Sequence, residues 1–213
     1  MKQSHQVPVG EPATAEWIDR SFIDIVKTLG MNPEARGILA VDGRSGSGKT
    51  TFAAEIADLV GGTAVVHTDD IAWNHSFFGW DDLVIDGVIA PFLEGETVSY
   101  RPSAWVEHKR EGSIDIPSDA SWLIIEGVGS ARSELGEYLD AIVWVQSDFG
   151  LAERRGIARD GGDQGAIDFW HEWMASETPF LAEHRPWDRA DLIVNGSPSE
   201  PAVNGIWVGD RSS

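Results

Sequence analysis

Residues 43–50 read GRSGSGKT, which fits the pattern G-x-x-x-x-G-K-T for a loop that cradles phosphates. Each residue type in it has a physical task. Glycines at Gly43, Gly46 and Gly48 let the backbone turn tightly and approach phosphate oxygens without a Cβ in the way. The turn aims the N–H groups of Ser45 through Thr51, those of Ser47 and Lys49 among them, inward as an anion nest, and the helix that follows adds its positive end. Lys49 supplies a full charge for the β- and γ-phosphates, and the Thr50 hydroxyl is a ligand for Mg²⁺. The chain has four lysines in all, so a lysine here by accident is improbable.

Acids stand where such a loop needs them. The segment AVVHTDD brings Asp69 and Asp70 to the end of a short apolar run, and WLIIEG does the same for Glu126. In doubly wound folds ligands sit beyond the carboxyl ends of the strands, so these acids converge on the loop. Asp69 is the candidate base that orients an acceptor hydroxyl. Asp70 and Glu126 are candidates to hold magnesium, directly or through water. Further on, Arg155 and Arg159 lie four apart on a helical stretch and share a face, which suits a lid that neutralises charge on a transferring phosphoryl group.

The elements that must position these residues follow from periodicity. Apolar residues at helical spacing predict helices over Ala15–Leu29, Lys49–Val60, Leu151–Arg159 and Ala166–Ala182. Short apolar runs predict strands at Gly37–Asp42, Ala64–His67, Trp122–Ile125, Ala141–Val145 and Leu192–Val194, with one more candidate at Ile206–Val208. Strands alternating with helices indicate a three-layer α/β fold on a mostly parallel five-stranded sheet. One domain is expected. Residues 1–13 read as a loose tail, 70–120 as an irregular substrate-side insertion with a helical pattern near Asp82–Leu93, and 150–163 as the lid.

Composition narrows the partners. With 35 acidic against 16 basic residues the net charge is −19, which disfavours nucleic acids and anionic membrane surfaces. The absence of cysteine removes disulfides, thiolate metal sites and thiol catalysis. No His/Asp cluster has zinc spacing, so no transition metal is expected. No apolar run approaches the roughly 18 residues of a membrane span, and residues 1–17 lack a signal-peptide core, which points to the cytoplasm. A homodimer is compatible with all of this, but nothing in the sequence fixes it.

The order of these pieces resembles the uridine kinase and phosphoribulokinase group of P-loop kinases. The resemblance covers roughly residues 37–160, more thinly to 195. It implies a nucleoside-kinase-like P-loop fold, Mg²⁺ and ATP as cofactors, a small-molecule hydroxyl acceptor, and Asp69 as the catalytic aspartate. It also places Glu126 as the magnesium-associated acid and Arg155 and Arg159 as lid arginines. Trp105, His108 and Arg110 are similar to the family's substrate hairpin, where Tyr100 would open it. Here Arg101 follows that tyrosine in place of the usual aspartate.

Ten tryptophans, eight phenylalanines and two tyrosines make the chain rich in flat rings. Trp73, Phe77, Phe78, Trp80 and Trp105 fall in the insertion, and at least one of Trp73, Trp80 and Trp105 is expected to touch the acceptor. His75 and His108 could hydrogen-bond it. Arg185 or Trp187 is the candidate neighbour of adenine. The competing reading is a regulatory ATPase or switch without an acceptor. The missing N-K-x-D guanine motif speaks against a GTPase and for ATP.

Overall fold

The computed structural model describes residues 10–12, 14 and 16–209. The chain order is β1 (Trp17–Ser21), α1 (Phe22–Thr28), β2 (Gly37–Gly43), α2 (Lys49–Val60), β3 (Thr63–His67) and α3 (Thr68–Ala72). Next come α4 (Asp81–Val84), a π-helical turn (Ile85–Ile89) and α5 (Ala90–Leu93), which run on from one another, then β4 (Val98–Tyr100), α6 (Ser103–Glu107) and β5 (Ile114–Ile116). The second half holds β6 (Trp122–Glu126), a 3₁₀ turn (Ser133–Tyr138), β7 (Ala141–Gln146), α7 (Phe149–Arg159), α8 (Gln164–His184), α9 (Pro186–Arg189), β8 (Leu192–Asn195) and β9 (Gly205–Gly209).

The main sheet has the order β1-β9-β8-β7-β2-β6-β3. Its five parallel strands, β8-β7-β2-β6-β3, are the ones read from the sequence. Two antiparallel strands extend it to seven, because β9 pairs with β8 and β1 pairs with β9. The segment 15–29 is therefore not one helix. Trp17–Ser21 is drawn into the sheet by β9, and only from Phe22 does the helical spacing prevail, with the Ser21 hydroxyl accepting the Asp24 N–H at 3.1 Å as the cap.

Strands β2 and β6 are buried over their whole length, as parallel strands covered on both faces must be. Alternation sorts their side chains. Leu39, Val41 and Ile124 pack with Phe52 and Ile56 of α2 and Ile25 of α1. Ile38, Leu123 and Ile125 face the 71–116 segment, while Ala40, Ile142 and Trp144 face α8 and α9. The result is three layers, with β4 and β5 as a separate two-stranded hairpin. No helix among the described residues is long and apolar enough to cross a membrane.

The segment read as a loose tail is anchored where it is described. Glu11 is buried, pairs with the Arg44 guanidinium, and accepts the Trp144 indole N–H at 2.9 Å. A buried guanidinium needs a counter-charge, and Glu11 provides it. Residues 1–9 and 13 of that segment lie outside the described residues.

Candidate active site

The phosphate loop, Asp69, Glu126, Arg155 and Arg159 gather at the carboxyl end of the parallel strands. Beyond β2 the chain turns through Gly46 at φ 75° and Gly48 at φ 100°, then enters α2 with no side-chain cap on its first N–H groups. A Cβ at Gly46 would run into the carbonyl of Ala152 on α7, so glycine allows both the turn and the close approach of that helix. Lys49 is largely buried and folds its ammonium onto the Arg44 carbonyl at 2.8 Å. Asp42, fully buried beneath the loop, accepts N–H bonds from Gly43 at 2.7 Å, Gly129 at 3.1 Å and Ala131 at 2.9 Å. Burial pushes its carboxyl up to about 6, although those bonds and the Lys49 charge act the other way.

Register brings the acids in. Val41, Glu126 and His67 are neighbours across β2, β6 and β3. The Glu126 carboxylate meets His67 Nδ1 at 2.6 Å and lines the same pocket as Thr50. Asp69, in the first turn of α3, is exposed. It joins Ser45, Lys49, Thr50, Glu126, Arg155 and Arg159 around a pocket of about 200 Å³. Asp70 does not line it. Arg110 reaches across from the 103–110 turn to within 2.5 Å of the Asp70 carboxylate, and the Asp70 carbonyl accepts the Trp105 indole N–H at 2.8 Å. Asp70, expected to hold a metal, thus lies outside this pocket and is paired with Arg110.

Helix α7 is held close to the loop by two small residues. Ala152 lies on Gly46, and Gly156 lies under the Trp170 ring of α8, where any side chain would collide. One helical face thus presents Arg155 and Arg159 to the loop. Arg155 donates to the Gly196 carbonyl at 2.8 Å, and Arg159 is paired with Asp160 at 2.8 Å.

A larger cavity, about 640 Å³, opens from the same spot and shares Ser45, Asp69 and Arg159 with the phosphate-side pocket. Its remaining walls come from Ala72 through Phe77, from Asp160, and from Phe169, Trp170 and Trp173 of α8. Phe77 meets the Trp173 ring edge-on at 4.9 Å. Of the aromatics singled out in the sequence, Trp73 and Phe77 lie in this wall, with His108 packed edge-on against Trp73 at 5.8 Å. Trp80 and Trp105 are core residues instead. Trp80 bonds the Phe77 carbonyl, and Trp105 carries the Arg110 guanidinium on its face at 3.6 Å. Tyr100 packs on Gly87 and borders a different hollow with Asp82 and Asp86. Trp187, proposed for adenine, is buried against Trp144, and Arg185 pairs with Asp188.

Several members of the site were not read from the sequence. The α8 rings fall on a helix whose apolar pattern resembles ordinary core. His67 stood in the quoted strand AVVH, yet only the register with Glu126 reveals its partner. Glu177, buried on α8, bonds the phosphate loop at Ser45 with no local motif to announce it.

No family model matches the chain. It is 23% identical over 188 residues to a uridine kinase from Halobacterium salinarum, a match covering 78% of this chain and 83% of that protein. Among solved structures it is similar to one described as a possible uridine kinase from Bacillus stearothermophilus (20% identity, TM-score 0.53, 81% of this chain and 96% of the other). A second, provisionally assigned as a fructose transport system kinase from Silicibacter sp. TM1040, gives a TM-score of 0.57 at 16% identity, over 80% of this chain and 95% of the other. The resemblance to the uridine kinase and phosphoribulokinase group of P-loop kinases holds in these comparisons.

Proposed function

We propose that this chain, a P-loop phosphotransferase similar to the uridine kinases, transfers the γ-phosphoryl group of ATP to a hydroxyl of a small, ring-bearing acceptor that carries no anionic group. One observation carries the reading: the phosphate-side pocket and the aromatic cavity meet at Ser45, Asp69 and Arg159. An acceptor hydroxyl in the cavity would stand between a carboxylate and the phosphate loop, the arrangement in-line transfer requires.

Within that arrangement, Lys49 swings from the Arg44 carbonyl to the phosphates, and the loop N–H groups of Gly46 through Thr51 hold them. Asp69 accepts the hydroxyl proton and orients the oxygen. Arg155 and Arg159 neutralise charge as the bond to the leaving phosphate breaks. The Thr50 hydroxyl and the Glu126 carboxylate are hard oxygen donors that line the same pocket, so they fit Mg²⁺. When bound there, the ion would screen the phosphate charge.

The acceptor class follows from the walls. Trp73, Phe77, Phe169, Trp170 and Trp173 offer flat apolar surface. Arg159 is the one Arg or Lys side chain lining the cavity among the described residues, and it also lines the phosphate pocket. A carboxylate or phosphate on the acceptor would find no cation of its own. A cavity of this size has no use in a switch that lacks an acceptor. The chain is expected to work in the cytoplasm.

The test is incubation with Mg-ATP and matched acceptors: nucleosides and other uncharged ring-bearing alcohols beside their carboxylated or phosphorylated counterparts. Product is read by mass, with Lys49→Ala and Asp69→Asn as controls. Product from uncharged acceptors that vanishes in both variants supports the reading. ATP hydrolysis that survives Asp69→Asn, with no product from any acceptor, overturns it.

A further inference from the structure

Glu177 lies on α8, fully buried, one helical turn after Trp173. A single carboxylate oxygen, Oε2, accepts two bonds. One comes from the backbone N–H of Ser45 in the phosphate loop at 3.1 Å, the other from the Trp173 indole at 2.6 Å. The second oxygen, Oε1, is buried and meets no donor among the described residues. A buried carboxylate half-satisfied in this way is costly to keep, and any apolar side chain of similar size would fill the space more cheaply.

Glu177 joins a residue of the phosphate loop to a wall of the aromatic cavity. Ser45 lines both pockets, at the point where they meet, and Trp173 is a wall of the aromatic cavity alone. Ser45 precedes Gly46, whose left-handed turn sets the direction of the loop's N–H groups. Holding Ser45 from α8 therefore fixes the loop from outside its own sequence. The same oxygen fixes the rotamer of the ring against which an acceptor would lie.

We infer that Glu177 is a positioning residue that sets the phosphate loop and the acceptor wall in register through one shared carboxylate oxygen. The inference rests on the kinase reading for its acceptor half only; its nucleotide half stands without an acceptor.

Three variants of the full chain test it: Glu177→Leu, which removes the acceptor oxygen; Glu177→Gln, whose amide oxygen can take both bonds; and Trp173→Phe, which cuts the acceptor branch alone. Binding of a non-hydrolysable ATP analogue with Mg²⁺ is measured by calorimetry, and KM and kcat are measured with whichever acceptor is turned over. Glu177→Leu is expected to weaken nucleotide binding about tenfold or more, with Glu177→Gln within about threefold of the parent. Trp173→Phe is expected to leave nucleotide binding unchanged and raise acceptor KM. A folded Glu177→Leu that binds the analogue like the parent overturns the inference, as does a Gln variant as impaired as Leu. A purely structural role would lower kcat through the active fraction and move neither KM nor nucleotide affinity. Should the Leu variant not fold, Glu177→Asp, which withdraws the carboxylate by one methylene, carries the same comparison. A parent chain that binds the analogue but phosphorylates nothing would sink the kinase reading and leave the nucleotide half standing to be judged.

Discussion

His67 Nδ1 and Glu126 Oε2 lie 2.6 Å apart because β3 and β6 place the two residues in register. Burial pushes the Glu126 carboxyl up, yet the His67 bond, the Lys49 charge and the Thr50 hydroxyl together hold it below the usual range. For His67 the bond to Glu126 comes first, and with the Asp70 and Asp69 charges it raises the imidazole above its ordinary value against the effect of burial. The acid at the end of β6 thus has a resident histidine partner.

Linkage fixes the sign of the pH dependence. The raised imidazole contributes stability that is complete below 6.5 and lost as pH rises through its folded value. The lowered carboxyl contributes stability that is complete above 4.5 and lost as pH falls through its folded value. Without magnesium, the stability gap between the parent and His67→Asn should be widest between these limits and close as pH rises through the raised folded value of His67. Denaturant unfolding across pH 5 to 9 reads it directly, and a gap that stays constant over that range contradicts the assignment.

Asp69→Asn keeps the size of the side chain and removes its basicity. kcat is expected to fall by roughly 10²–10⁴, the usual worth of a positioned base, with nucleotide affinity preserved. Lys49→Ala should differ in kind, since it removes charge from the phosphates themselves. Calorimetry with Mg-ATP analogue separates the two: affinity lost in the lysine variant, retained in the aspartate variant.

Gly46→Ala puts a Cβ against the Ala152 carbonyl at a left-handed φ of 75°. Either the loop or α7 must give way, so nucleotide binding should be lost while the fold survives. Circular dichroism and calorimetry on the same sample check both halves.

Trp80 and Phe169 make a contrasting pair. Trp80 is buried in the core, and truncation to Ala should cost about 3–5 kcal/mol of stability. Phe169 is 46% exposed on the cavity wall, so its truncation should change stability by less than about 1 kcal/mol but raise acceptor KM. Thermal unfolding together with steady-state kinetics distinguishes a core ring from a substrate ring.

The sequence made some of this legible for definite reasons. GRSGSGKT is a local device, so its loop, the preceding strand and the following helix could be read from consecutive residues. Asp69 and Glu126 were legible because the strands before them are short apolar runs with clear ends. What could not be read depends on pairings far apart in the chain. Trp17 carries a helical pattern into Phe22, but its partner in β9 is Gly209, and that pairing turns the first five residues into a strand. Trp80 and Trp105 have the composition of a binding surface, and only their burial shows that they are core. The wall made by Phe169 and Trp173 comes from a helix nearly a hundred residues beyond Trp73, so no window of sequence joins them.

The pairing of Arg44 with Glu11 has a kinetic consequence. One of the cations in the phosphate loop is neutralised from below and Arg159 is shared with Asp160, which leaves Lys49 and Arg155 as the main attraction offered to a triphosphate. That attraction is short-ranged, whereas a chain at −19 repels from afar. Added electrolyte, with a Debye length near 10 Å at 0.1 M, screens the far field before the near one. Nucleotide association should therefore speed up with rising ionic strength, the reverse of ordinary electrostatic steering.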